Sequence, residues 1–369
     1  MIKDKVSTLR ALMRVCLNWF TLLKIYFLGG AGTVYLRDAF GNKVDVYVEP
    51  SNVRLVLFLT MVLNDLFGYY KFLCKGNKHY IYFYTRITKA FDLPNPVNID
   101  AVFYDWKLQD LLSLIRFMIM NSDDIIIRSL SEKYVDVLVK NEGLVFTVRK
   151  RNWYDLSHGA FIPYFGEPYI YTSWFLRILS VRSHPVFIDV GAYIGGYTVR
   201  ACKLGAKVIV IEPDSENFFL LTQNVNNNCA NNKVFLFNVA AGKREIRVPY
   251  YEEEFPSLLT VSEEAASKNE ERKRVRGYAT IKPLDHIIPP LLNANEVVDL
   301  LKIDVEMATL EVLEGASDVL SKARYVIIEL HPPIREEGME ILHEHGFVIV
   351  DRHGITFLFK QKKVDSTKE

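Results

Sequence analysis

The feature that most restricts what this chain can fold into is a change of pattern after His184. The runs 185-PVFIDVG-191, 207-KVIVIEP-213, 233-KVFLFNVA-240, 300-LLKIDVE-306 and 324-RYVIIELH-331 are short and apolar on both faces. Stretches with helical spacing, such as 214-DSENFFLLTQNVNNN-228, separate them. A strand that is apolar on both faces must be covered on both faces, which means a parallel sheet between two layers of helix. The chain closes with a helix at 336-EEGMEILHEHG-346 and two runs, 347-FVIVDRH-353 and 355-ITFLFK-360. Too little chain joins those two runs for a parallel crossover, so they pair as an antiparallel hairpin. The expected fold class is α/β: a Rossmann-like sheet, mostly parallel, ending in an antiparallel hairpin.

At 369 residues the chain is long enough for two domains. Upstream of the parallel pattern, 33-TVYLRDAFGNKVDVYVE-49 alternates around Gly-Asn and reads as a β-hairpin. Helical spacing covers 52–73 and 107–120, strands are expected at 79–87, 134–139 and 144–149, and 91–100 is a proline-rich turn. The reading is an amphipathic helix over 1–29, an α+β extension over 30–160 without a chemical motif, the α/β domain over 161–363 and a polar tail at 364–369.

Net charge is +1, so there is no general attraction to nucleic acid. The charged run 263-EEAASKNEERKRVR-276 nearly cancels and has no interleaved aromatics, so it reads as a solvated helix or a lid over the substrate. Cys16, Cys74, Cys202 and Cys229 lie far apart with no C-x-x-C pair, which argues against a disulfide scaffold or a zinc site and fits a reducing, cytoplasmic compartment. His343-Glu344-His345 lacks the spacing of a helical metal pair, and no metal is expected.

In 11-ALMRVCLNWFTLLKIYFL-28 the polar residues Arg14, Asn18, Thr21 and Lys24 share one helical stripe. A spanning helix would bury two cations, and a cleavable signal would need an uninterrupted apolar core. Two readings stay open. The helix lies in the inner surface of a membrane, with Lys3, Lys5, Arg10, Arg14 and Lys24 toward anionic headgroups, or it docks on the protein's own core.

In open parallel sheets, ligands sit beyond the carboxyl ends of the strands. The first such end reads Asp189-Val190-Gly191-Ala192-Tyr193-Ile194-Gly195-Gly196, which is neither G-x-G-x-x-G nor a P-loop. Asp189 would repel a pyrophosphate and attract a ligand that carries ammonium and sulfonium charge. Glu212 ends the second strand, where an acid can accept from ribose hydroxyls, and Asn238 ends the third, where an amide can read an adenine edge. Three strand ends thus offer groups for the amino acid, ribose and base of S-adenosylmethionine.

These residues carry a family resemblance. The run 187-FIDVGAYIGGYT-198, with 210-VIEPDSEN-217, 238-NVAAG-242, 283-PLD-285, 301-LKIDVEMATLEVLEGA-316 and 327-IIELH-331, resembles the FkbM-type methyltransferases over about residues 165–360. The resemblance implies a class I methyltransferase fold, S-adenosylmethionine as cofactor and methylation of hydroxyl groups, often on sugars or glycans. It puts Asp189, Gly191, Gly195, Glu212 and Asn238 in the cofactor site, with Ala192, Tyr193 and Pro213 beside them.

A hydroxyl acceptor must lose a proton as it is methylated, and a carboxylate or His within reach can take it. The candidates are Asp304 and Glu306 after the fourth strand and His331 after the fifth. Lys302 is on the same side as both acids and can pair with one. The alternative for Glu306 is a helix-start acid, and for Asp304 an ion pair with Lys302. This chain has Met307 and Thr309 where the family has Gly and a second Glu. That departure keeps open a non-catalytic binding or scaffold protein. A nicotinamide oxidoreductase is disfavoured by Asp189.

Overall fold

The computed structural model describes residues 12–38, 40–51, 53–66, 68, 70–75, 78–84, 90–91, 97–98, 106–229, 233–251, 275–305 and 308–362. The charged run at 263–274, Glu306, Met307 and the tail from 363 lie outside the described residues. The chain forms two compact units: Met1–Glu142 with Arg149–Trp153, and Gly143–Val148 with Tyr154–Glu369. The units interleave over residues 143–153, and within the second Arg200 is bonded to the carbonyls of Gly159 and Ala160.

In the first unit, Gly32–Arg37 and Lys43–Val48 pair as the expected antiparallel hairpin. Its inward face is Val44, Val46 and Val48, as period-two alternation requires. The N-terminal helix is not continuous. Asn18 leaves the helical path to bond Thr33 O and Tyr35 N, and a new helix runs Trp19–Leu28. It buries Leu22 and Ile25. The helix expected over 52–73 spans Val53–Asp65, and Tyr70–Lys75 is instead a strand antiparallel to Lys78–Phe83. The aromatic and apolar residues of 70-YKFLCK-75 fit a strand as well as a helix, so apolar spacing alone could not find the boundary. A strand at Ile125–Leu130, not expected from sequence, pairs with Tyr134–Val139.

The second unit is built on seven strands: β1 (Val186–Val190), β2 (Lys207–Ile211), β3 (Val234–Phe237), β4 (Val298–Ile303), β5 (Ala323–Glu329), β6 (Phe347–His353) and β7 (Thr356–Gln361). Their order is β3-β2-β1-β4-β5-β7-β6. The first five are parallel, and β7 runs antiparallel to both β5 and β6. This is the class I methyltransferase topology, an α/β sheet whose strand order reverses between β1 and β4. Every residue of β1 and of β4 is buried, and all but Asp189, Asp299 and Lys302 are apolar. Ile188, Val190, Ile209, Leu301, Ile303, Val326 and Ile328 pack in one core cluster, each worth roughly 1.5–3 kcal/mol relative to exposure.

Helix Ser215–Asn228 follows β2, and the Asp214 carboxylate caps it by accepting from Glu216 N and Asn217 N. The helix expected after β4 is two short ones, Thr309–Glu314 and Ser317–Lys322. Asp285 stabilises the second by accepting from Asp318 N and Val319 N. Val312, Leu313, Ala316, Val319 and Leu320 are all buried, as the apolar spacing required. His345 of the His-Glu-His cluster contacts Ser317 through Nε2.

One expectation is corrected. Cys202 and Cys229 form a disulfide, because the ends of helices Gly196–Lys203 and Ser215–Asn228 meet with their Cα atoms 6.0 Å apart. Distance along the sequence says nothing about that meeting, so the spacing argument against disulfides fails for this pair. Among the described residues, no helix is long and apolar enough to cross a membrane.

Candidate functional site

The site is assembled at the carboxyl ends of β1 and β4, where the strand order reverses. Parallel pairing puts Lys302 of β4 directly beside Asp189 of β1, and Asp304 N then donates to Val190 O at 3.0 Å. The chain turns immediately after β1 at Gly191, whose φ is +80°. A Cβ there would lie 1.8 Å from the Asp304 carbonyl oxygen, so only glycine lets the two strand ends approach this closely. Tyr193 also has a left-handed backbone, with φ +54°. Its N–H donates to Glu212 Oε2 at 2.8 Å and its hydroxyl donates to Asp155. Gly196 begins the next helix, and a Cβ on it would meet Ile162 at 2.4 Å and the Gly159 carbonyl at 2.8 Å.

The segment before β1 closes the other side. Residues Leu156–Ala160 and Ile162–Gly166 are π-helical turns, a geometry common at functional sites. Arg200, buried beneath them, donates to the carbonyls of Gly196, Gly159 and Ala160 at 3.0, 3.2 and 2.8 Å. Those bonds fix His158, whose Nδ1 is 2.8 Å from Ser157 Oγ and whose ring stacks on Tyr154. Burial lowers the His158 pKa, against the opposing pull of Glu167 and Asp304.

The cavity is lined by Tyr154, His158 and Glu167 from the segment before β1 and by Asp189, Gly191, Ala192, Tyr193, Gly196 and Tyr197 from β1 and the turn and helix after it. Lys302, Asp304 and Glu329 form its floor at the strand ends. Asp189 is buried. Thr198 Oγ1 donates to its Oδ2 at 2.6 Å, while Oδ1 is buried with no hydrogen-bond partner. Burial raises the Asp189 pKa, and Lys302 and Thr198 hold the rise back. Lys302 donates to Asp304 Oδ2 at 2.7 Å and lies 5.2 Å above the Tyr197 ring. Burial alone would lower its pKa, but Asp304, Asp189 and Glu167 outweigh that and raise it, so it is a permanent cation. The Tyr197 hydroxyl donates to Glu167 Oε2 at 2.6 Å.

Carboxylate oxygens of Glu167, Asp304 and Glu329 lie within 4.8 Å of one another. Three acids this close repel unless positive charge is supplied, and Lys302 supplies the first. The spacing would also admit a divalent cation.

Not every residue expected from sequence faces this cavity. Asp189, Gly191, Ala192, Tyr193 and Asp304 line it. Gly195 is the left-handed residue ahead of the helix, packed against Leu221. Glu212 is buried behind the loop, with Oε1 accepting from Asp214 N and Asn217 Nδ2 and Oε2 from Tyr193 N. Burial pushes its pKa up to about 8. Asn238 spends its amide donor on the carbonyls of Glu212 and Pro213, stitching the ends of β2 and β3 together. His331 Nε2 is 3.8 Å from Glu329 Oε2 and is not among the lining residues. Glu306 lies outside the described residues.

Sequence reasoning missed Tyr154, His158, Glu167, Tyr197 and Glu329. Glu329 had a signal, since it ends β5 as Asp304 follows β4. The three from before β1 had none, because no motif marks that segment. As a seat for S-adenosylmethionine the cavity fits on one count: a lining acid, Asp189, with an unpartnered buried oxygen.

The chain is similar to known methyltransferases. It is 26% identical over 207 residues to methyltransferase sdnD of Sordaria araneosa, covering 49% of this chain and 80% of that protein. It is 27% identical over 158 residues to the hexuronic acid methyltransferase AglP of Haloferax volcanii, covering 42% of this chain and 60% of that one. The AMB antimetabolite synthetase AmbE of Pseudomonas aeruginosa is 27% identical over 207 residues, 44% of this chain but only 10% of AmbE. The α/β unit contains, over residues 189–350, a segment that matches the family described as the methyltransferase FkbM domain.

Proposed function

We infer that this protein is an S-adenosylmethionine-dependent O-methyltransferase whose acceptor is a hydroxyl group of a sugar or glycan. The observation that carries the reading is Asp189: a buried carboxylate, one oxygen without a partner, at the mouth of β1. Such an oxygen is costly unless a ligand's donor completes it. An amino acid's ammonium group does so, while a phosphate would be repelled. The similarity to AglP, a hexuronic acid methyltransferase, supports a sugar acceptor.

When bound, S-adenosylmethionine supplies a methyl group activated by its sulfonium. Everything else falls to the chain. Methyl transfer is an in-line displacement, so the main task is positioning. The acceptor hydroxyl must also lose its proton. Asp304, with Glu167 and Glu329 beside it, offers carboxylate oxygens at the cavity floor for that purpose. Lys302 holds Asp304 in place through the 2.7 Å bond. His158, kept toward its neutral form by burial, is a second proton acceptor from the segment before β1.

Titration calorimetry with S-adenosylmethionine tests the cofactor reading. The parent should bind, and Asp189→Ala should weaken binding about 10- to 100-fold, the worth of a hydrogen bond to a charged group. No binding by the parent refutes it. Formation of S-adenosylhomocysteine on incubation with uronic acid glycans tests the acceptor. Binding without turnover on any hydroxyl acceptor would favour the scaffold reading that Met307 and Thr309 motivate.

A further inference from the structure

The helix Trp19–Leu28 presents two different faces. One face, Leu22 and Ile25, is buried against the first unit's own hairpin. The opposite face is not polar. Phe20, Phe27 and Leu28 are 71%, 74% and 77% exposed, and Lys24 emerges between them. Met13 and Leu17, upstream of the break at Asn18, are exposed as well. The polar stripe expected to face outward is partly spent inward, because Asn18 bonds the hairpin backbone and Thr21 packs beside Gly32.

The geometry points to this outer face as a docking surface for an anionic lipid bilayer, with the helix lying in the headgroup layer. Three observations favour lipid over a protein partner. First, residues 1–28 hold Lys3, Lys5, Arg10, Arg14 and Lys24 against the single acid Asp4, a charge balance that complements anionic headgroups. Second, a helix of 10 residues presents a face only about 15 Å long and about 10 Å wide. A stable protein interface needs about 800 Å² per partner, several times more. Third, Trp19 and Tyr26 flank the apolar stripe, and Lys24 can extend its ammonium from within it to the headgroups, the arrangement of an interfacial helix. The helix is also too short to span.

The test is sedimentation of the full chain with vesicles of phosphatidylcholine, alone or mixed with phosphatidylglycerol. The parent should bind the mixed vesicles, and salt should weaken that binding. The variant Phe20→Ser/Phe27→Ser/Leu28→Ser should lower the partition coefficient about a hundredfold or more. Its thermal midpoint should stay that of the parent, since the three side chains are already in solvent. Equal binding by parent and variant, or no binding by the parent, overturns the proposal. So does light scattering that finds a concentration-dependent dimer in the parent and a monomer in the variant, which would make the face a self-association surface. None of these outcomes depends on methyl transfer.

Discussion

Replacing Gly191 by alanine probes the join on which the whole site rests. Alanine at φ +80° costs roughly 1–2 kcal/mol for the left-handed backbone alone. The second effect is contact. The new Cβ would sit 1.8 Å from the Asp304 carbonyl oxygen, and real Cβ contacts essentially never fall below 3.0 Å. The ends of β1 and β4 must therefore part by about 1.2 Å, the difference between those two distances. The neighbouring Asp304 N to Val190 O bond, now 3.0 Å, would then stretch beyond bonding range. That adds about 0.5–1.5 kcal/mol for a lost hydrogen bond. A total near 3 kcal/mol should lower the midpoint of the second unit by about 6–12 °C. Catalysis should suffer more than stability, because Asp304 moves with its carbonyl, and a displacement of about 1 Å in a positioned group can cost about a hundredfold in rate. Scanning calorimetry reads the first effect and methyl transfer at a temperature well below the midpoint reads the second. A variant that melts within about 2 °C of the parent would refute the claim that this glycine is required by contact.

Three further outcomes follow from the same geometry. Lys302→Met leaves Asp189 and Asp304 without their cation and should cost about 3–5 kcal/mol at neutral pH in a denaturant titration, with part of the loss recovered on acidification; unchanged stability at pH 7 would mean that the cluster is neutralised by something else. Glu212, raised from its ordinary 4.5 to about 8, keeps its proton in the folded state while the unfolded chain ionises, so stability should fall with rising pH between about 4.5 and about 8 and level off above. Glu212→Gln should flatten that slope, and an identical pH profile in the variant would exclude Glu212 as its source. Reducing Cys202–Cys229, which are 27 residues apart, should destabilise the second unit by about 3 kcal/mol in thermal melts with and without dithiothreitol.

The sheet was legible because burial on both faces leaves a sequence signature that little else produces. Strands β1, β2, β4 and β5 coincide with apolar runs, and the final hairpin followed from the short connection between its strands. The errors share one cause. The Cys202–Cys229 pair, the end of the helix at Asp65 and the cavity wall from Tyr154 to Glu167 depend on which segments meet in space. Spacing along the chain does not encode those meetings. The roles expected of Glu212 and Asn238 show the same limit from the other side. Both sit at strand ends, and their side chains also bond the local backbone, a use that residue type and position do not reveal.

Charge accounts for why these strand ends carry acids in an apolar setting. Glu167, Asp189, Asp304 and Glu329 bring four carboxyl groups to one cavity, with Lys302 as the cation among its lining residues. Lys302 can be buried only because register places it beside Asp189 and its ammonium reaches Asp304. With four carboxyl groups to one ammonium among the lining residues, the cavity favours positive charge over anions. A dinucleotide's pyrophosphate meets the wrong potential here, which weighs against nicotinamide chemistry independently of the missing glycine motif. A sulfonium and an ammonium meet the right one. Glu167 and Glu329, both outside the motif that departs at Met307 and Thr309, bring further acids beside Asp304.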